Sequence, residues 1–498
     1  MTAILPRLHL GSAKKSHSNH NSHKENLNQV IHSGPAIEVF RSLLSKIDIN
    51  NCQANGENAF YICDLACVYN QFNRWKSVFS NRVDAFFAVK CNPDIQILKL
   101  FSKLGMGFDC ASNAEINLVL SLGVSPNRII YANPCKASSF IRHAHANGIQ
   151  LMTFDNSDEL EKIAKFHPAA KLVIRIITDD SKSMCRFGEK FGAPLDSVQE
   201  LLQLAVQLNL NVVGVAFHVG SGCSSSDSYI DAIRRAKSVF EIAQDFGLQF
   251  DLLDIGGGFN DDNFESLADG VLVALNQYFP IGCGVRVIAE PGRYFVSRAF
   301  ELATNIIARR QAPIQNTSKF NDQNIQKEQQ RDPLTLYYIN DGVYGAFNCI
   351  MFDHQVVNPK ILTLGGVFYG DGFSETGYPN SPMTPSYSEH EMDSSTESID
   401  PSSIAPKFSP HQTSSLFLEA DLKPCKIFGP SCDSIDVVCP IVMLPVKHLK
   451  VGDWMRWTNM GAYTICAASQ FNGFKISQVK YTIGDHCIED ELRTILDH

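Results

Sequence analysis

Six runs of this sequence each end an apolar stretch on residues able to do chemistry. "AFFAVK" ends on Lys90, "GFD" on Asp109, "KLVIR" on Arg175 and "VVGVAFH" on His218; "DLLDIGGG" ends on Gly256, Gly257 and Gly258, and "VRVIAE" on Glu290, with Gly292 and Arg293 just beyond. A lysine at the end of an apolar strand is partly desolvated, which lowers its pKa and leaves an amine able to capture an aldehyde as a Schiff base. The glycines let backbone N–H groups approach a phosphate, "HVGSGC" adds the hydroxyl of Ser221, and Arg293 supplies a charge-assisted partner. An acid such as Glu290 facing a pyridine nitrogen would keep that nitrogen protonated. Taken singly, each has an ordinary structural explanation: a snorkelling lysine, a tight turn, a core histidine, a buried Glu290–Arg293 ion pair. Together, an aldehyde-binding lysine, a phosphate cradle and an acid for a ring nitrogen describe pyridoxal 5'-phosphate.

Such residues are useful only if the fold brings them to one place. Between residues 84 and 290 eight short apolar or β-branched runs alternate with amphipathic segments such as "NAEINLVLSLG" and "DSYIDAIRRAKSVFEIAQDFG". Near-continuous apolar strands alternating with helices imply parallel strands under a helical layer. Eight such units close a (β/α)8 TIM barrel, whose strand C-termini share the catalytic face; an open doubly wound sheet is the runner-up. Beyond residue 300 the texture turns to strand-like runs: "FELATNIIARR", "LTLYYINDGVYG", "DVVCPIVML" and "GAYTICAAS". The expectation is therefore an α/β chain with a mainly β C-terminal domain. Its parts are a disordered tail over 1–36, an entry segment over 37–60 contributing to the β domain, a cofactor-binding barrel over 61–300 and the β domain over 301–498. Two polar inserts, 311–332 and 372–414, interrupt the β domain and read as disordered loops.

Bulk properties narrow the function classes. The 498 residues are 44% apolar and 19% charged, the balance of a soluble globular protein. A net charge of -9 without a Lys/Arg stripe argues against nucleic acid. No run approaches the ~20 apolar residues needed to span a bilayer. The start has an apolar run broken by Pro6, Arg7 and His9, too short for a signal-peptide core, although the lack of acids before Glu25 leaves a transit peptide as an alternative to a plain tail. Fifteen scattered cysteines without a C-x-x-C pair fit reduced thiols in the cytoplasm. Cys425, Cys432 and Cys439 recur every seven residues, but nothing around them has metal-ligand spacing, so no metal is expected.

In order along the chain, "FFAVKCNPD", "GFDCAS", "DDSKSMCRFGEKFGA", "FHVGSGC", "LLDIGGGF", "AEPGRYFV", "YYINDGVYGAFNCIMFDH", "GPSCDSID", "VGDWMRWTNMGAYT" and "FNGF" closely resemble the eukaryotic ornithine decarboxylases. The resemblance spans residues 37–371 and 415–475. It implies an alanine-racemase-like barrel plus a β domain and a homodimer with shared active sites. It also implies pyridoxal-phosphate-dependent decarboxylation of L-ornithine to putrescine and carbon dioxide, the first step of polyamine biosynthesis. By the same resemblance Lys90 carries the cofactor, Glu290 faces its ring nitrogen and His218 stacks on the ring. Ser221, the Gly256–Gly258 run, Gly292, Arg293 and Tyr463 hold the phosphate, with Asp109 and Arg175 supporting the ring. Cys432 from the partner subunit governs protonation at the α-carbon; Asp353 and the partner's Asp433 take the distal ammonium, near Tyr344 and Phe352. Lys190 and Asp436 correspond to a salt bridge between subunits. Position 352 is Phe where animal members carry Tyr, so one hydroxyl near the pocket is missing.

Two carboxylates at one distal site suit a diamino acid. Lysine is one methylene longer than ornithine, a difference worth only ~1–3 kcal/mol in a pocket, which leaves room for minor lysine turnover. The competing readings are an arginine or diaminopimelate decarboxylase of the same fold and a non-catalytic relative such as the antizyme inhibitors. Those relatives lose catalytic positions, whereas Lys90, His218, Glu290, Arg293, Cys432 and Asp433 are all present here. The resemblance also implies an antizyme-like regulatory protein as a partner.

Overall fold

Two kinds of strand divide the chain, short parallel ones between helices and longer ones that pair mostly antiparallel. The structure is a computed structural model describing residues 30–185, 188–312, 334–369 and 422–497. Strands β1 (Ile31–Ser33) and β2 (Phe60–Asp64) come first and join a sheet built mostly from the C-terminal half. Next are β3 (Val83–Ala88), β4 (Gly107–Cys110), β5 (Ile129–Tyr131), β6 (Leu151–Phe154), β7 (Lys171–Arg175), β8 (Ser183–Cys185), β9 (Asn211–Ala216), β10 (Ser221–Cys223), β11 (Leu252–Asp254) and β12 (Arg286–Ala289). All of these except β8 and β10 pair in parallel, β3-β4-β5-β6-β7-β9-β11-β12, and β12 returns to β3 through Val287↔Val83 and Ala289↔Ala85. That last pairing closes the barrel and rules out the open sheet. β8 and β10 form a small antiparallel ladder, Ser221↔Cys185 and Cys223↔Ser183, just past the strand ends.

The barrel closes because its strands are apolar on both faces. Phe86, Ile130, Val173, Val213, Leu252 and Ile288 fill its interior, while a larger core lies between strands and helices. Gly107 is required inside: a Cβ there would lie 2.5 Å from the Phe86 ring. The sequence around Lys90 shows how a strand is made to end. After β3 the chain takes one 3-10 turn, Val89–Cys91, and the Asn92-Pro93-Asp94 step breaks it. Asp94 then caps the helix Ile95–Lys103, its carboxylate accepting from the N–H of Gln96 (3.0 Å) and Ile97 (3.2 Å).

The second sheet comprises β1, β2, β13 (Phe300–Gln311), β14 (Thr335–Ile339), β15 (Pro359–Ile361), β18 (Leu422–Phe428), β19 (Val437–Pro445), β20 (Trp454–Trp457) and β21 (Gln478–Ile483), with β16 (Thr363–Leu364) and β17 (Val367–Phe368) paired separately. Three sequence expectations change in detail. Ile31–Ser33 pairs with β21, so a strand lies inside the stretch expected to be a disordered tail. Phe60–Asp64 pairs with both β13 and β21, so the sheet claims residues up to Asp64. "GAYTICAAS" is no strand: Tyr463 has a left-handed φ of 54°, and its N–H donates to the Cys91 carbonyl (3.0 Å), docking this loop on the turn that carries Lys90. Residues 1–29, most of the first expected insert and all of the second lie outside the described residues.

Candidate active site

The barrel's C-terminal face gathers the residues singled out at the strand ends into one cavity. Its lining includes Lys90, His218, Ser221, Gly257, Gly258, Glu290, Gly292, Arg293 and Tyr463. Lys90 projects from the turn after β3, and its ammonium pairs with the fully buried carboxylate of Asp109 on β4. Burial alone would lower the lysine's pKa, but Asp109 and then Glu290 outweigh it and hold the ammonium above its ordinary range. This reverses the sequence expectation of a desolvated, readily neutral amine: the lysine's neighbours, not its strand, decide its charge.

The acids are crowded in turn. Burial raises Asp109, with Lys90 opposing. Glu290 is 9% exposed, and burial together with Asp109 and Asp254 raises it well above the usual carboxyl range. Asp254, at the end of β11, is pushed up to about 7, chiefly by burial. One of its oxygens accepts from the Gly256 N–H (2.9 Å). Two neighbouring buried carboxyls resist ionising together, so burial and mutual repulsion favour the protonated form at this end of the site. Asp254 was missed in the sequence, although it carries the same signal as Glu290, an acid closing an apolar run. His218 is held neutral by burial, helped by Arg175 and Lys90, and its Nδ1 accepts from the Gly220 N–H (2.9 Å), which leaves the proton on Nε2.

The phosphate cradle is built from backbone. Gly258 has a φ of 113°, and a Cβ there would meet the Gly220 carbonyl at 2.7 Å and the Tyr229 hydroxyl at 2.9 Å. Tyr229 itself donates to the Gly257 carbonyl (2.8 Å), bracing the loop from below. Arg293 starts a short helical turn, Arg293–Val296, and reaches the Ser221 hydroxyl at 3.2 Å with its ring neighbour Tyr463 5.1 Å away. Among the described residues, Asp109 Oδ1, Glu290 Oε1 and Arg293 Nε are buried around this cavity without a hydrogen-bond partner. Buried polar atoms of that kind call for a polar occupant. One anion-seeking guanidinium and two acids fit a molecule with a phosphate at one end and a basic ring at the other. Family models give the same answer. Residues 65–297 match the pyridoxal binding domain of pyridoxal-dependent decarboxylases, and residues 383–461 match their C-terminal sheet domain.

The chain belongs to the pyridoxal-dependent decarboxylases. It is 43% identical over 448 residues to an ornithine decarboxylase of Schizosaccharomyces pombe, covering 89% of this chain and 88% of the yeast protein. It is 42% identical over 448 residues to antizyme inhibitor 2 of Xenopus laevis, covering 89% and 85%. Among solved structures, the Paramecium bursaria Chlorella virus arginine decarboxylase superposes with a TM-score of 0.71 at 30% identity, over 89% of this chain and all of the viral one. The cofactor of this decarboxylase is pyridoxal phosphate, and the residues present suit it: Lys90 for the aldehyde, Glu290 with Asp254 for the ring nitrogen, Ser221, Arg293 and the glycine loops for the phosphate.

Other residues expected at the site lie outside the lining of this cavity. Arg175 ends β7, its guanidinium 5.1 Å over the Phe191 ring. Asp353 follows the short helix Asn348–Phe352 and is ion-paired with Arg293. Cys432, Asp433 and Tyr344 stand together on the sheet domain. Tyr344 donates to Asp433 (2.6 Å) and stacks on Phe471, while the Cys432 N–H donates to Asn472 (3.0 Å). None of these three lines the Lys90 cavity of the same chain. Asp436, expected to bridge to Lys190 of a partner, is 1% exposed within its own chain, where its two oxygens each accept one backbone N–H, from Val343 (2.8 Å) and Ser431 (3.0 Å). That brace holds the loop beside Cys432, and within the same chain the Lys190 ammonium lies 4.9 Å over the ring of Phe191.

Proposed function

We propose that this decarboxylase acts on L-ornithine, yielding putrescine and carbon dioxide and so opening polyamine synthesis. The carrying observation is the cavity that joins Lys90, Glu290 and Arg293, with its buried, unpartnered polar atoms. Bound pyridoxal phosphate supplies the electron sink for the pair left when the carboxylate departs. The protein's own residues do the rest. Lys90 offers the amine that anchors the cofactor, and Asp109 orients it. The Asp254–Glu290 pair keeps a proton at the ring-nitrogen end, and neutral His218 gives a flat wall without adding charge. Overall similarity does not separate the catalytic decarboxylases from the antizyme inhibitor relative, which is nearly as similar. The retained Lys90, Glu290 and Cys432 favour the enzyme.

The substrate end is completed across a homodimer. Cys432 is exposed and Asp433 half-buried beside Tyr344, while Phe352 and Ile441 are each 71% exposed and Phe471 is 40% exposed. Exposed large apolar side chains, Phe471 among them stacked on Tyr344 beside Asp433, suit a surface covered by a second copy. In that arrangement Cys432 of one copy serves α-carbon protonation in the other, and Asp433 with Asp353 receives the distal ammonium. An antizyme-like regulatory protein remains part of this reading, as does a cytoplasmic location, in keeping with fifteen unpaired cysteines. Among the described residues no helix is long and apolar enough to cross a membrane.

Carbon dioxide release from ornithine, lysine, arginine and diaminopimelate, compared as kcat/KM, tests the assignment. Ornithine is expected to lead, with lysine below it by roughly the ~10–200-fold that one methylene allows. Protein that shows no visible absorbance from lysine-bound cofactor, or a Lys90→Ala variant that keeps that absorbance, would refute it.

A further inference from the structure

Arg293 is the cavity's phosphate-directed cation, yet its partner in the structure is a carboxylate. Its terminal nitrogen Nη2 lies 2.7 Å from both oxygens of Asp353 and 3.2 Å from the Ser221 hydroxyl. Both members are nearly buried, with side chains 12% and 6% accessible. The pairing is not a two-nitrogen fork. One nitrogen carries three acceptors with two hydrogens, while Nε is buried without a partner. An anion that takes the Nη2 donor beside the Ser221 hydroxyl competes with Asp353 for that nitrogen, and the unpartnered Nε gives it a second donor to hold as Asp353 leaves. Asp353 is held in place independently: the Gln355 amide donates to it (3.1 Å), the Cys185 thiol lies 3.6 Å away, and its own N–H donates to the Cys349 carbonyl (3.1 Å). A carboxylate displaced from its arginine but kept in a dry site needs another cation.

We propose that the Arg293–Asp353 ion pair is an exchangeable latch that couples the phosphate subsite to the substrate's distal-ammonium subsite. A phosphate taken up by Arg293 and Ser221 releases the Asp353 carboxylate, and an organic ammonium then takes the place of the guanidinium. Phosphate and diamine thus bind with positive, reciprocal coupling. This rests on the decarboxylase reading for the identity of the ammonium, but the competition between Asp353 and phosphate does not.

The test uses the full-length protein stripped of cofactor, with inorganic phosphate, pyridoxal 5'-phosphate and pyridoxal as probes followed by intrinsic fluorescence and calorimetry. Asp353→Asn is expected to bind inorganic phosphate and pyridoxal 5'-phosphate roughly tenfold tighter or more, the scale of one charged hydrogen-bond competitor, and to leave pyridoxal unchanged. Unchanged or weaker phosphate binding would overturn the latch and make Asp353 a positioning residue for Arg293. Should the variant misfold, the unmodified protein carries the test through 1,4-diaminobutane: its dissociation constant should fall when inorganic phosphate is present, and independence or antagonism would overturn the proposal. Failure of the unmodified protein to take up pyridoxal 5'-phosphate would instead strike the decarboxylase reading, leaving the inorganic-phosphate comparison to judge the latch.

Discussion

The Lys90 end of the barrel and the Cys432 loop of the sheet domain hold comparable chemistry in opposite surroundings. Asp109, Asp254 and Glu290 are buried at 0%, 0% and 9% exposure, and their ionisation is set first by that burial and then by charged neighbours within the same chain. Asp433, by contrast, is only half-buried; a Tyr344 hydroxyl holds its pKa below the ordinary carboxylate value, and Cys432 beside it is exposed. A dry cluster built wholly within one chain tunes protons without help. An exposed loop of reactive residues gains that kind of control only when something covers it.

Three experiments would sharpen or break this contrast. Glu290→Gln removes a titratable group from the dry cluster and is expected to lower kcat by roughly 10²-fold, the usual scale for a preorganised electrostatic partner, with far less effect on KM. A loss confined to KM would mean that the cluster binds and does not assist the chemistry. Mixing Lys90→Ala with Cys432→Ala protein tests the exposed loop. Random reassociation of a two-fold dimer with shared sites restores about a quarter of wild-type activity, because half the dimers are mixed and each carries one intact site. Flat activity on mixing would place both residues in a single chain's site.

The smallest effect is on stability. Asp254 is raised from 3.8 to about 7 in the folded protein, so the native state keeps a proton that the unfolded chain releases. Stability from this group is full below about pH 4 and is lost as pH rises towards 7. Asp254→Asn should make the change in Tm between pH 5 and pH 7, measured without cofactor, shallower. An identical slope in both proteins would mean that Asp254 is already ionised in the fold.

Much of the dry cluster was legible because barrel geometry turns local pattern into position. Any acid or lysine that closes an apolar run in a (β/α)8 sequence arrives at the same face, so Lys90, Asp109, His218 and Glu290 could be named from their own strands. Asp254 obeyed the same rule and was hidden by the glycines that follow it. Tyr463 could be named only through family likeness, because its place depends on a left-handed turn and a backbone hydrogen bond to Cys91, neither of which has a periodic signature. Asp436 is a second case. A charged residue in a polar loop reads as solvent-exposed, yet Gly342 and Gly429, where a Cβ would meet its Oδ1 at 2.2 Å, let backbone close around it and donate to its carboxylate.

By itself the sequence determined the alternation of strand and helix, the apolar runs that had to be buried, and the chemical types delivered at each strand's end. Those depend on short-range periodicity and on the cost of wetting apolar surface. Only the tertiary structure decided charge states and partners. Lys90 is held as an ammonium because Asp109 lies across the next strand, and Asp254 and Glu290 are both raised because they are buried side by side at the ends of the neighbouring β11 and β12. Arg293 meets Asp353 from sixty residues away. Electrostatic energy in a dry site is set by distances of a few ångströms between residues remote in sequence, and no local pattern encodes those distances.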